Sequence, residues 1–206
     1  MSGAGGGALA QIAGGVRYVW ADVPLRSVLL VISVMNFFAL GAIQVGLPAL
    51  AHLRFAPGAA ALGAAFAAWG LGSTAGSIGA GARPMPRRFG RVMTLTILLF
   101  AAGLLGMWLA PGLPALLAVM LLVGAVEGAS TIYVISWIQR RTAAAMQGRV
   151  MSLAMVASVG LNPLALTLAG ALATRSVGLL FWVAAVAVGG AAALAGASRP
   201  LRELAG

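Results

Sequence analysis

Residues 113–139 read LPALLAVMLLVGAVEGASTIYVISWIQ, and the interpretation of the whole chain starts from this stretch. Its apolar run from Leu113 to Ile138 is longer than the about 20 residues that a helix needs to cross a bilayer. Glu127 lies near the middle of that run, whereas Asp22 and Glu203, the two remaining acids, lie outside every apolar run. A charge at bilayer depth costs at least ~2.5 kcal/mol and usually faces a bundle interior or a watery cavity. Glu127 is therefore the first candidate for a functional residue.

The composition is that of an integral membrane protein. Hydrophobic residues make up 62% of the 206 residues, charged residues only 8%, and the mean hydropathy is +1.04. A soluble domain carries about a quarter charged residues. The absence of cysteine excludes a disulfide framework and a cysteine metal site. With one histidine and three acids in the chain, we expect no multi-ligand metal site. We also expect no cofactor, no catalytic residues and no enzymatic activity.

Six apolar segments predict an all-α membrane protein with six transmembrane helices in residues 27–198. Their approximate bounds are 27–51, 59–82, 92–109, 113–138, 150–173 and 177–197. Residues 1–26 are predicted to form a flexible lead-in and then an amphipathic surface helix over Gln11 to Val23, which Pro24 ends. A partly ordered linker is the alternative for that segment. Residues 199–206 form a tail.

The basic residues are all arginines, and they lie at the ends of the apolar runs. This placement indicates membrane topology, so we do not expect nucleic acid as a partner despite the net charge of +10. One side of the predicted bundle holds only Arg54 and Arg175. The positive-inside rule places the other side, with both termini, in the cytoplasm of a multi-pass protein of the inner (plasma) membrane. That side holds Arg17, Arg26, Arg83, Arg87, Arg88, Arg91, Arg140, Arg141, Arg149, Arg199 and Arg202.

Glu127 shares a helix face with Gly124, Gly128 and Thr131, because residues three, four and seven apart line up, and Met120 extends that face by one turn. Small residues beside the acid leave room for water, a substrate or a neighbouring helix. The functional interpretation is a protonatable site or a counter-charge for a cationic substrate. The structural interpretation is a protonated carboxyl that is hydrogen-bonded inside the bundle.

Amides in two other predicted spans are candidates for a polar cavity that faces Glu127. Asn36 and Gln44 lie about two turns apart in the first span, and Ser158 and Asn162 share a face in the fifth, where Pro163 is predicted to bend the helix. The alternative role of each amide is an interhelical hydrogen bond.

The second predicted span carries small residues at four-residue spacing, at Ala68, Gly72, Gly76 and Ala80. Such a strip lets another helix approach closely. We interpret these residues as packing positions.

Several short motifs resemble the major facilitator superfamily, in particular its macrolide-efflux and enterobactin-exporter-like branch. The most specific is Gln147-Gly-Arg-Val-Met-Ser-Leu153. Weaker matches follow the family's order along the chain, so the six spans resemble the C-terminal half of a twelve-helix transporter. These are Gly15-Val-Arg-Tyr-Val-Trp20 with Pro24-Leu-Arg26, Leu47-Pro48, Gly160-Leu-Asn-Pro163 and Ala169-Gly170.

The resemblance implies proton-coupled efflux of a small amphipathic molecule, such as a drug or a siderophore, through a site between two halves. It implies that Glu127 is the coupling or substrate-facing acid, with Thr131, Asn36, Gln44 and Asn162 along the substrate or proton pathway. The implied cytoplasmic gate and loop residues are Arg83, Arg87, Arg91, Gln139, Gly148 and Arg149. The alternative role of the arginines is to anchor the membrane topology. The loop from Gly79 to Arg91 departs from the family's pattern, because it lacks the acid that the pattern contains.

A lone half would need a partner, either a complementary six-helix half or a second copy of the chain in a homodimer. The alternative is a truncated fragment or a membrane scaffold subunit that pairs with a partner half without transporting. A six-span enzyme or channel fits less well. An intramembrane serine protease would need a serine and a histidine within the bilayer, and the single histidine, His52, lies at the outer end of the first span. A water channel would need two Asn-Pro-Ala segments, whereas this chain has one Asn162-Pro163, which leucine follows.

Overall fold

The structure, a computed structural model, describes residues 8–56, 58–86 and 88–197. The first part of the predicted lead-in, Arg87 and the predicted tail lie outside these residues. The described chain is helical and contains no strand. Its helices are α1 (Ala8–Ala21), α2 (Val23–Gly41), α3 (Leu47–Arg54), α4 (Gly58–Gly81), α5 (Phe89–Leu109), α6 (Leu113–Arg141), α7 (Gln147–Val159), α8 (Asn162–Arg175) and α9 (Val177–Ala197). A π-helical turn, Ala42–Gly46, joins α2 to α3, and a 3-10 turn, Ala144–Met146, precedes α7.

Four segments of the described chain are long and apolar enough to cross a membrane, which confirms the helical membrane-protein class. They are Val23–Arg54, Phe89–Leu109, Leu113–Arg141 and Val177–Leu194, with mean hydropathies of 2.0 to 2.2. The predicted second span corresponds to α4, which has 24 residues and no charged side chain but is rich in glycine and alanine. These small residues give α4 a lower mean hydropathy, so α4 is not among the four segments that are long and apolar enough to cross a membrane.

The predicted fifth span, residues 150–173, is divided into two shorter helices. Helix α7 ends at Val159 and α8 begins at Asn162, so each has fewer residues than a membrane crossing needs. The reason is Pro163, whose ring would clash with the Val159 carbonyl in a continuous helix and which has no N–H to donate. In the first turn of α8 the missing N–H costs nothing.

The first helix boundary also differs from the prediction. The break between α1 and α2 lies at Asp22, and Pro24 stands in the first turn of α2. Asp22 has an extended backbone, and its Oδ1 accepts a 3.1 Å hydrogen bond from the Leu25 N–H, so it caps α2. Helix α1 lies on the bundle through Val19, which is buried, while Trp20 is exposed.

Helices α4 and α6 form the closest pair in the bundle, with backbones in contact at glycines on both sides. A Cβ atom added at Gly72 or Gly76 of α4 would overlap the carbonyls of Leu121 and Ala125 on α6. The contact is reciprocal, because a Cβ at Gly124 or Gly128 of α6 would overlap the carbonyls of Trp69 and Ser73 on α4. Each helix thus contributes a small-xxx-small motif to one interface. The helix that packs closely against the small residues of α4 is therefore α6.

The arginine-rich end of the bundle is held together by contacts between α1, α2, α5 and α6. Arg141 Nε donates to Asp22 Oδ2 at 2.7 Å. The Trp137 ring stacks on Phe89, with 5.3 Å between centroids. At the opposite end, the Arg54 guanidinium lies 4.0 Å from the centre of the Trp108 ring and donates to the Trp108 carbonyl. Arginine contacts thus hold neighbouring helices together at both ends, and the charge asymmetry of the two ends and the compartment that each faces stay predictions.

Candidate functional site

A cavity of about 350 Å³ lies between α2, α6 and α7, with Glu127 in its wall. Helix α6 contributes the polar side of the lining, with Glu127, Ser130 and Thr131. Helices α2 and α7 contribute mainly apolar side chains and two polar ones, Asn36 and Ser158. The complete lining is Ile32, Met35, Asn36, Glu127, Ser130, Thr131, Val134, Ile135, Ile138, Met151, Ala154, Met155 and Ser158.

The Glu127 carboxyl stands between two environments. On the α4 side, its Oε2 accepts a 2.7 Å hydrogen bond from Trp69 Nε1. Glu127 also lines the cavity, and the residue as a whole is half-buried. Indole nitrogen only donates, so it can serve the carboxyl in its charged and in its neutral form. The bond fixes Oε2, and no hydrogen bond to Oε1 is found among the described residues, so Oε1 is free to meet a ligand or a proton.

The glycines beside Glu127 do not provide the room that the sequence left open for a substrate. Gly124 and Gly128 lie against the α4 backbone, so α4 occupies that space. Met120, one turn further along the predicted face, is fully buried in the core. The cavity opens instead on the side of α6 that carries Thr131, which is exposed.

Asn36 of α2 and Ser158 of α7 both line the cavity. Asn36 Nδ2 donates to the Ile32 carbonyl at 3.0 Å, and Ser158 Oγ donates to the Ala154 carbonyl at 2.9 Å. Both side chains thus use a donor on their own helix and retain an oxygen that can accept a hydrogen bond. Acceptors and a carboxyl on an otherwise apolar wall suit a ligand that carries positive charge or N–H groups.

The structure does not bring Gln44 or Asn162 to this cavity. Gln44 is exposed in the π-helical turn, about 12 Å along the helix axis from Asn36. Asn162 begins α8 beyond the Gly160–Leu161 break, so it no longer shares a continuous helix face with Ser158. Of the five predicted pathway residues, Glu127, Thr131 and Asn36 line the cavity together.

Sequence reasoning missed the methionines of the lining and the indole partner of Glu127. Met151, Met155 and Ser158 fall at helical spacing on one face of α7, a signal that was available in the sequence. Trp69 also offered a signal, because a buried indole N–H needs an acceptor and α4 contains no charged side chain. Trp69 and Glu127 are 58 positions apart and lie on different helices. The spacing of residues along one helix therefore cannot reveal that they pair.

The predicted gate residues are dispersed at the arginine-rich end. Arg83 and Arg91 are exposed, and Arg87 lies outside the described residues. Gly148 has open space around it, and the Gln139 carbonyl accepts a 3.0 Å hydrogen bond from Gln147 Nε2. Arg149 is exposed beside Gly14 and Gly15 of α1. The ion pair that the structure does form at this end, Asp22 with Arg141, was not predicted.

The described residues contain no group of three or more histidine, aspartate or glutamate side chains that could hold a metal ion. Comparison of the chain with models of protein families, with curated proteins and with solved structures gives no match. The resemblance to the transporter superfamily therefore stays a prediction, and the cavity is the basis for assigning a function.

Proposed function

We propose that this chain is one half of a membrane transporter that moves a small amphipathic molecule, with Glu127 as the group that binds the substrate's positive charge or the coupling proton. The observation that supports the proposal is a carboxyl in the wall of an apolar cavity within a helix from Leu113 to Arg141. Intramembrane acids are rare and mark substrate or proton pathways.

The size and chemistry of the cavity suit a small organic ligand. Its volume of about 350 Å³ falls at the lower end of the roughly 300–1,000 Å³ that ligand pockets occupy. The lining combines apolar side chains with few polar groups, as such pockets do. Methionines 35, 151 and 155 add flexible, polarizable contacts that adapt to ligands of different shape.

Exchange of ligand and proton at the Glu127 carboxyl would couple the movement of the substrate to the movement of the proton. A cationic ligand binds the charged carboxylate through the oxygen that Trp69 leaves open, and a proton on the same carboxyl removes that attraction. Ligand and proton then compete for Glu127. A proton gradient across the membrane can drive the ligand in the opposite direction through this competition.

The second wall of the site would come from a complementary six-helix half or from a second copy of this chain, as the resemblance implies. Met155 and Val156 on α7 are 69% and 64% exposed and offer an apolar surface next to the cavity. We place the arginine-rich end in the cytoplasm and the protein in the inner (plasma) membrane, on the positive-inside rule.

Reconstitution into proteoliposomes tests the proposal, with ethidium as a cationic amphipathic probe and an imposed pH gradient. We expect gradient-dependent ethidium movement with the wild-type chain and its loss in Glu127→Gln. Glu203→Gln makes the same chemical change outside the apolar runs and serves as the matched control. Unchanged transport in Glu127→Gln would remove Glu127 from the mechanism.

The alternative, a membrane subunit that pairs with a partner half without transporting, makes a different prediction. It requires stable association with a second half and no gradient-dependent movement of the probe in either the wild type or the variants. In proteoliposomes that contain the associated second half, these two results distinguish a transporting half from a scaffold.

A further inference from the structure

A second, smaller groove of about 150 Å³ lies on the outside of the bundle, where α1 crosses α2 and α7. Its lining includes Val16, Val19, Trp20, Arg26, Leu30 and Leu153. The groove is separate from the Glu127 cavity, and the two share no lining residue. It combines an apolar floor with one cationic side chain.

Arg26 is the one charged residue in the lining of this groove. Its guanidinium carbon lies 5.4 Å from the centre of the Trp20 ring, which holds the cation beside the aromatic face. Asp22 is one turn earlier on the chain, but Oδ1 accepts from the Leu25 N–H and Oδ2 pairs with Arg141. In the part of the chain that the structure describes, Asp22–Arg141 is the only ion pair. Arg26 therefore has no carboxylate partner there.

The groove continues from Arg26 toward the membrane interior. It reaches Ser33, two turns further along α2, which corresponds to about 10 Å. Ser33 Oγ donates to the Leu29 carbonyl at 2.9 Å, so the deep end offers little beyond apolar contact. A groove with a cation in its lining and apolar walls along its length matches a hydrocarbon chain attached to an anionic head.

The position of the groove in the bundle fits the same ligand. Helix α1 ends at the head of the membrane-spanning segment Val23–Arg54, and Trp20 is 60% exposed there. Tryptophan is enriched at the membrane interface, at the level of the lipid headgroups. A guanidinium forms paired hydrogen bonds with a phosphate group.

We infer that the α1 groove binds one anionic phospholipid, with the lipid phosphate on Arg26 and an acyl chain along Leu30 and Leu153. Trp20 closes the headgroup side, and α1 is held against α2 and α7 by the same molecule. The inference is independent of what the Glu127 cavity transports.

Native mass spectrometry of the full chain, released from mixed micelles, tests this assignment. The probes are phosphatidylglycerol and phosphatidylcholine with identical acyl chains, supplied in equal amounts. We expect one retained phosphatidylglycerol and a preference of about fivefold over phosphatidylcholine, as one arginine near a headgroup provides. Equal retention of the two lipids by the wild type would overturn the inference.

Arg26→Gln is expected to reduce that preference to near unity. Arg17→Gln, an exposed arginine of α1 outside the groove, is the matched control and should keep the preference. An equal loss in both variants would show an effect of net charge rather than a site.

Leu30→Trp fills the groove from an exposed position and should abolish retention although Arg26 is intact. Retention of the lipid by that variant, or full competition by free glycerol phosphate, would contradict the acyl-chain part of the site.

Discussion

Trp69 Nε1 donates a 2.7 Å hydrogen bond to Glu127 Oε2 across the interface between α4 and α6. The bond joins an uncharged, glycine-rich helix to the helix that carries the intramembrane acid. It also fixes the orientation of the carboxyl at the edge of the cavity. The acid is thus part of the helix packing and part of the cavity wall at the same time.

Trp69→Phe is expected to lower the thermal stability of the protein in detergent, because it removes the donor and leaves a half-buried carboxyl without that partner. The expected loss is about 1 to 3 kcal/mol, the cost of leaving a buried polar group unsatisfied. Trp182→Phe makes the same change at an exposed position of α9 and should leave the melting temperature unchanged. Equal melting temperatures in the two variants would show that the Trp69 bond contributes nothing.

Glu127→Gln should retain most of the stability that Glu127→Leu loses. The glutamine amide oxygen can accept the Trp69 bond, whereas leucine leaves the indole N–H without a partner. Melting curves of the two variants measure the difference. A Glu127→Leu protein as stable as Glu127→Gln would mean that the carboxyl is held by something other than Trp69.

Gly124→Ala and Gly72→Ala should each destabilise the protein, because the added methyl group would overlap a backbone carbonyl of the facing helix. Overpacking of this kind costs about 1 to 3 kcal/mol. Gly79→Ala, on the same helix as Gly72, meets no atom within 4 Å and is the matched control. Thermal unfolding in detergent measures all three, and a loss at Gly79 as large as that at Gly124 would contradict the interface.

Filling the cavity is expected to stop transport without unfolding the protein. Ala154→Phe places a ring among the lining residues, whereas Val156→Phe adds the same ring on an exposed face of α7 outside the lining. We expect loss of ethidium movement in proteoliposomes for the first variant alone, with the same helix content by circular dichroism in both. Transport by Ala154→Phe at the wild-type rate would place the substrate path elsewhere.

Asp22→Asn should have a small, salt-dependent effect. Asparagine can still cap α2, so the change isolates the ion pair with Arg141. In that pair, the Asp22 side chain is 21% exposed and the Arg141 side chain is 39% exposed. Exposed pairs contribute about 0 to 1 kcal/mol and are screened by salt. Melting temperatures of the wild type, Asp22→Asn and Arg141→Gln at low and high salt measure the effect. The three should converge at high salt, and a difference that persists there would assign the residues another role.

The sequence is sufficient for the helical membrane class because hydropathy is a sum over many residues. It also places Glu127 and Thr131 on one side of α6, since their spacing fixes that relation within a single helix. Relations between helices are different. Trp69, Asn36 and Met151 approach Glu127 from three other helices, and no spacing along the chain determines how those helices are rotated.

Two boundaries illustrate the limits of local signals. Pro24 and Pro163 both suggest interruptions, but a proline is tolerated in the first turn of a helix, so the break falls before each of them. At Pro24 the break lies two residues earlier, at Asp22, and changes little. At Pro163 the break divides a predicted membrane span and removes Asn162 from the helix face that lines the cavity.

The reciprocal glycine contacts of α4 and α6 have a mechanical consequence. Two helices whose backbones touch along two turns cannot slide past each other without collision, so they form a rigid body that carries Glu127. Helix α7 is different, because it is short, it ends at Val159, and Met155 and Val156 on it are exposed. The Gly160–Leu161 junction separates α7 from α8. If the cavity widens, we therefore expect α7 to move, together with the α1 segment that lies on it, while the α4–α6 pair and Glu127 stay in place.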